Sequence, residues 1–105
     1  MRGDIWTVAG AGYASKPRPA VIIQSDETDS FDSTIVCLLT SDASIKGSTR
    51  VHVSPSEANG LTKDCYVMAD KVLTLKKSSL GKKIGALANE DMKRVNAALR
   101  AALGI

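Results

Sequence analysis

The chain has 105 residues, 44% hydrophobic and 24% charged, with a net charge of +3, the ordinary balance of a soluble globular protein and room for one domain, residues 1–105. Its longest apolar run, residues 35–39, falls far short of the ~20 residues that span a bilayer, and Met1-Arg2-Gly3-Asp4-Ile5-Trp6 lacks an apolar signal core, so no membrane partner is expected and the cytoplasm is the expected location. Cys37 and Cys65 have no partner cluster at metal-ligand spacing and read as buried free thiols, while the mildly basic charge permits a polyanionic partner without requiring one.

Residues 5–8 predict a short strand carrying the only tryptophan, followed by a loop of mainly small residues, 9–16. Residues 20–24 and 34–40 are apolar at consecutive positions, which predicts strands buried on both faces of a sheet. Between them, residues 25–33 hold Asp26, Glu27, Asp29 and Asp32 and must be solvated. Val51-His52-Val53 alternates as a short strand. Ser54-Pro55-Ser56-Glu57 then has the N-cap, first-turn proline and third-position acid of a capping box, with Gly60 as a stop; one helical turn is expected at residues 55–59. Further strands are expected at residues 65–68, 71–75 and 84–87. The terminal segment is the clearest helix, with Asn89 as cap, Glu90 and Asp91 in its first turn, Gly104 after its last, and Met92, Val95, Leu99 and Leu103 on one stripe. These elements predict a small, mostly antiparallel barrel with a terminal helix packed on it.

The residue with the most specific chemistry is Arg18, set between Pro17 and Pro19 at the entrance to the first long buried strand. Pro19 pushes Arg18 into an extended conformation and Pro17 fixes its own φ, so a permanently charged guanidinium sits on a rigid mount. That suits holding a phosphate or carboxylate in one pose. Thr40, Ser41 and Asp42 mark an abrupt change from buried strand to polar end. Their hydroxyls either satisfy loose backbone groups of a turn or, if the two long strands pair, join Arg18 around a common anion. His52, the only histidine, shares no face with its flanking valines and reads as a surface residue; without a second histidine, an acid–base pair of two imidazoles is excluded. Lys76-Lys77 and Lys82-Lys83 read as solvated loop or edge lysines, with phosphate tracking on a nucleic acid as their functional alternative.

Met1-Arg2-Gly3-Asp4-Ile5-Trp6, Arg18-Pro19-Ala20-Val21-Ile22-Ile23 and Leu39-Thr40-Ser41 resemble the MazF/PemK family of toxin endoribonucleases. Gly60-Leu61-Thr62-Lys63-Asp64, Ile84-Gly85-Ala86-Leu87 and the terminal helix continue the resemblance through nearly the whole chain. It implies an SH3-like barrel of the CcdB/MazF type with a short internal helix and a C-terminal helix, acting as a homodimer. It also implies cleavage of single-stranded RNA at short sequences with no metal or other cofactor, and a cognate antitoxin that covers the RNA groove with an acidic, partly disordered segment. In such cleavage the 2′-hydroxyl attacks the adjacent phosphate and leaves a 2′,3′-cyclic phosphate and a 5′-hydroxyl. The catalytic arginine and hydroxyl of the family fall on Arg18 and Thr40, with Ser41, Ser15 and Lys16 toward the RNA and Tyr13 as a ring that either stacks on a base or covers the barrel end.

The chain departs from the family pattern where Asp70-Lys71-Val72-Leu73-Thr74-Leu75-Lys76 replaces a run usually bearing an arginine and a second acid; Asp70 survives and reads chiefly as a structural carboxylate. Two other functions share or approach this fold. A gyrase poison of the CcdB type works through a terminal tryptophan ahead of glycine and isoleucine, whereas this chain ends Leu103-Gly104-Ile105. A non-catalytic SH3-like binding module needs an aromatic peptide groove, and aromatic residues (Phe, Trp, Tyr) make up only 4% of this chain.

Overall fold

The computed structural model describes residues 1–8 and 17–105. Among them six strands form one antiparallel sheet: β1 (Asp4–Val8), β2 (Arg18–Ile22), β3 (Ser33–Thr40), β4 (Arg50–Val53), β5 (Cys65–Lys76) and β6 (Leu80–Ala86). A single α-helix, α1 (Asn89–Leu103), follows. The strand order is β4-β5-β3-β2-β1-β6. The architecture is the expected antiparallel one with a terminal helix, but the sheet does not close, since β4 and β6 remain its two edges. β4 is only four residues long and runs out at Val53, just before Pro55, which has no N–H for a ladder. The gap is bridged by a turn instead: Ala86 N–H donates to Ala58 O at 2.9 Å.

That turn replaces the internal helix expected at residues 55–59. One α-turn hydrogen bond forms, Gly60 N–H to Ser56 O at 3.0 Å, and the helix goes no further. The side chain of Asn59 accepts from Ser56 N–H at 2.9 Å and from Leu61 N–H at 3.0 Å, and donates to Ser54 O at 2.9 Å. A short amide side chain thus takes over the backbone groups that a helix would have used. Short helical turns occur elsewhere, as 3₁₀ segments at Asp26–Thr28 and Lys77–Ser79.

The two strands expected at residues 65–68 and 71–75 are one. Between Cys37↔Val72 and Leu39↔Val67, β3 advances two residues while β5 advances five. The extra residues include Asp70 and Lys71, the polar break in the sequence, which β5 absorbs as an irregularity against an uninterrupted β3.

Consecutive apolar residues bury both faces, as expected. On one face Ile5, Val21, Cys37, Leu39 and Val67 pack with Met92, Val95, Ala98 and Leu99 of α1. On the other, Ala20, Ile22, Val36, Leu38 and Met68 pack with Trp6, Leu73 and Leu80. Val95 is wholly buried, and a side chain of that kind contributes about 2 kcal/mol. Two details of α1 differ from expectation. Ala88, not Asn89, occupies the N-cap position, with no side-chain cap, and Leu103 is 57% exposed beyond the end of the stripe while Ala98 takes a buried place. The C-terminal stop is as expected: Gly104 has φ 71° and donates to Arg100 O at 2.8 Å. No helix among the described residues is long and apolar enough to cross a membrane.

Candidate active site

β2 lies between β1 and β3, paired with β3 through Ala20↔Leu38, Val21↔Cys37 and Ile22↔Val36. The same register carried two residues on sets Arg18 across from Thr40. Period-two alternation then puts both on the sheet face of Ala20 and Leu38. The two halves of the sequence-derived constellation therefore meet at neighbouring strand ends, because the β2–β3 pairing is antiparallel and in this register.

The strand ends border a cavity of ≈ 310 Å³ lined by Pro17, Arg18, Pro19, Leu39, Ser41, Lys63 and Cys65. Arg18 and Ser41 are both exposed there, so a basic and a hydroxyl residue border one solvent-accessible hollow. Thr40 is half-buried at the end of β3 and does not line the cavity, and its Oγ1 accepts from Asp42 N–H at 3.1 Å. The turn function foreseen for this hydroxyl is thus present, and it leaves the hydroxyl proton available to donate. Asp42 in turn accepts from Ser44 N–H at 2.9 Å, and hydrogen bonds from Ser44 hold its carboxyl below the usual aspartate range. Tyr13, Ser15 and Lys16 lie outside the described residues.

Two residues of the cavity were not expected at the site from the sequence. Lys63 brings a second cation, and Cys65 forms part of the wall with its Sγ donating to Lys63 O at 3.4 Å. Burial pushes the Cys65 thiol up, against a pull downward from the Lys63 ammonium. The sequence signal for Lys63 was its place in Gly60-Leu61-Thr62-Lys63-Asp64, but only folding brings that segment beside Arg18.

The other candidates lie elsewhere. His52 is exposed, with Nε2 2.8 Å from Asp64 Oδ1 and its ring centroid 5.3 Å from that of Tyr66. Asp70 is held by Arg50, whose Nε and Nη2 donate to its two oxygens at 3.0 and 3.2 Å, the structural carboxylate expected. Lys77 pairs with Asp29 at 2.6 Å and Lys83 with Asp4 at 3.4 Å, so one lysine of each basic pair is engaged with a carboxylate.

A model of PemK-like, MazF-like toxins of type II toxin–antitoxin systems matches residues 1–103. The chain is 42% identical over 105 residues to a probable endoribonuclease MazF of Mycolicibacterium smegmatis, covering 99% of this chain and 96% of that one. It is 30% identical to an endoribonuclease MazF of Staphylococcus saprophyticus, over 84% of this chain and 74% of the relative. Among solved structures, an endoribonuclease in complex with its cognate antitoxin, from a mycobacterial species, superposes with a TM-score of 0.86 at 29% identity, covering 100% of this chain and 95% of that one.

Proposed function

The chain belongs to the PemK-like, MazF-like toxin family of type II toxin–antitoxin systems and is an endoribonuclease; on that premise we propose that it cuts single-stranded RNA at the Arg18 cavity, by attack of a 2′-hydroxyl on the adjacent phosphate. The observation that carries this reading is the shared hollow of Arg18 and Ser41, with Thr40 at the end of the neighbouring strand. As the 2′-oxygen approaches phosphorus, negative charge accumulates on the nonbridging oxygens. A guanidinium carried on a backbone restricted by two prolines meets that charge, and the Thr40 hydroxyl supplies a second donor. Ser41 supports the phosphate on the open side. The products are a 2′,3′-cyclic phosphate and a 5′-hydroxyl. The protein works as a homodimer in the cytoplasm, where its RNA substrate lies, and a cognate antitoxin restrains it by occupying the same cationic groove. The gyrase-poison and peptide-binding alternatives leave Arg18 without a task.

Purified protein incubated with a long RNA in EDTA should give discrete fragments with cyclic phosphate ends. Arg18→Ala should fold normally and lose roughly 10³-fold or more in cleavage rate, and Thr40→Ala about 10²-fold, the weight of a single transition-state donor. Full activity in Arg18→Ala rejects the site.

A further inference from the structure

A second cavity adjoins the first. It measures ≈ 270 Å³, and Thr7, Pro19, Leu61, Lys63, Cys65 and Ile84 are among the residues around it. Pro19, Lys63 and Cys65 border both hollows, so these three form the divide between them. The two differ in chemistry. The first holds Arg18 and Ser41, whereas the second is walled largely by aliphatic side chains with Lys63 at its border.

The segment that carries Lys63 is built to stay in place. Asn59 is 3% exposed and ties down residues 54–61 through its side-chain hydrogen bonds to Ser54, Ser56 and Leu61. Gly60, at φ 68°, approaches the Ile84 backbone so closely that a Cβ there would lie 2.8 Å from the Ile84 carbonyl carbon. Asp64, the adjacent acid, is committed to His52, and among the described residues Lys63 makes no ion pair. Its ammonium is therefore, among the described residues, an uncompensated positive charge, carried by an anchored segment between a polar and an apolar hollow.

Single-stranded RNA offers matching groups, successive phosphates with an apolar base face projecting beside them. We infer that the second cavity is the subsite for a nucleotide flanking the cut, with Lys63 holding the phosphate that follows the scissile one along the groove and the base resting against Pro19, Leu61 and Ile84. This rests on the reading of the Arg18 cavity as the cleavage site. Among the described residues the wall contains no aromatic ring, and these residues hold the base by apolar contact and desolvation. A preset loop makes the binding inexpensive in ordering entropy.

The test uses an RNA oligonucleotide spanning a mapped cut, with a 2′-deoxy sugar at the scissile nucleotide so that it binds without being cleaved. Lys63→Gln should bind it several-fold more weakly, and the slope of log affinity against log salt should fall in magnitude by about 0.7, the value for one phosphate of a single strand. Lys63→Arg should restore the slope. A neutral methylphosphonate placed at one linkage next to the cut should abolish the difference between the wild type and Lys63→Gln, and an abasic substitution at that nucleotide should weaken binding of the wild type. An unchanged salt slope, or losses from Lys63→Gln and methylphosphonate that add at every position, overturns the inference. Arg18→Ala separates the two readings: if it abolishes cutting while Lys63→Gln leaves the slope intact, only the subsite fails, and if the wild type neither binds nor cuts RNA, both fail.

Discussion

Gly85 on β6 lies against the Ala58–Asn59 peptide so closely that a Cβ on it would stand 2.5 Å from both the Ala58 and Asn59 carbonyl oxygens. A real side-chain carbon does not fit there, and neither backbone can withdraw, because Ala86 N–H is bonded to Ala58 O at 2.9 Å and the Asn59 side chain fixes the turn. This contact joins the edge of the sheet to the segment that bears Lys63.

Gly85→Ala should therefore destabilise the protein by about 3 kcal/mol, the upper range for forced overpacking, with Tm falling by roughly 15 °C. Gly104→Ala is the contrasting control. Gly104 sits at positive φ, 71°, and a Cβ there meets nothing within 4 Å, so its cost is the conformational one alone, about 1 kcal/mol. Thermal melts of the two variants should differ accordingly, and equal shifts would show that the close contact is not rigid.

The Arg50–Asp70 pair predicts a pH dependence. Hydrogen bonds from the Arg50 guanidinium hold the Asp70 carboxyl below its ordinary value of 3.8. A depressed carboxylate adds stability above the unfolded value, and that contribution is lost as pH falls below 3.8 through the folded value. The Asp70 side chain is 38% exposed, so solvent screening limits the effect to at most about 1 kcal/mol. Asp70→Asn should melt lower than the wild type near pH 7, and the two curves should converge in strong acid. Cleavage should survive the substitution, since Asp70 does not border the Arg18 cavity; loss of cleavage with intact folding would give Asp70 a chemical role.

The two thiols should react in a set order. Cys37 is wholly buried, and burial pushes its thiol up to about 12. Cys65 is 5% exposed but borders the Arg18 cavity, and burial raises its thiol against a smaller downward pull from the Lys63 ammonium. Iodoacetamide should label native protein slowly and at Cys65 first, with Cys37 labelled only on unfolding, as read by mass spectrometry of the peptides. Carbamidomethylation of Cys65 should lower cleavage by crowding the cavity. Labelling of Cys37 ahead of Cys65 would contradict the burial order.

Strands such as β2 and β3 were legible because consecutive apolar residues have no soluble alternative to a doubly covered sheet. The Arg18 mount was legible because prolines act on their neighbours through local sterics, whatever the fold. Other features depended on partners distant in sequence. A polar Asp70-Lys71 reads as a strand break until an unbroken β3 lies beside it. The capping-box pattern at residues 54–57 reads as a helix until the Asn59 side chain takes its hydrogen bonds. Leu103 fits the apolar stripe of α1, yet it lies past the helix's contact with the sheet and is 57% exposed among the described residues.

The amino-acid sequence alone determined the long buried strands β2 and β3, the terminal helix, the family and the arginine around which the site is organised, because each is written in local sterics, period and residue type. Tertiary structure decided that the sheet stays open, that Thr40 comes across from Arg18, and that Lys63 stands at the divide between two hollows. Those outcomes depend on strand register and on close backbone approach between segments far apart in the chain, and neither is encoded in any short window of residues.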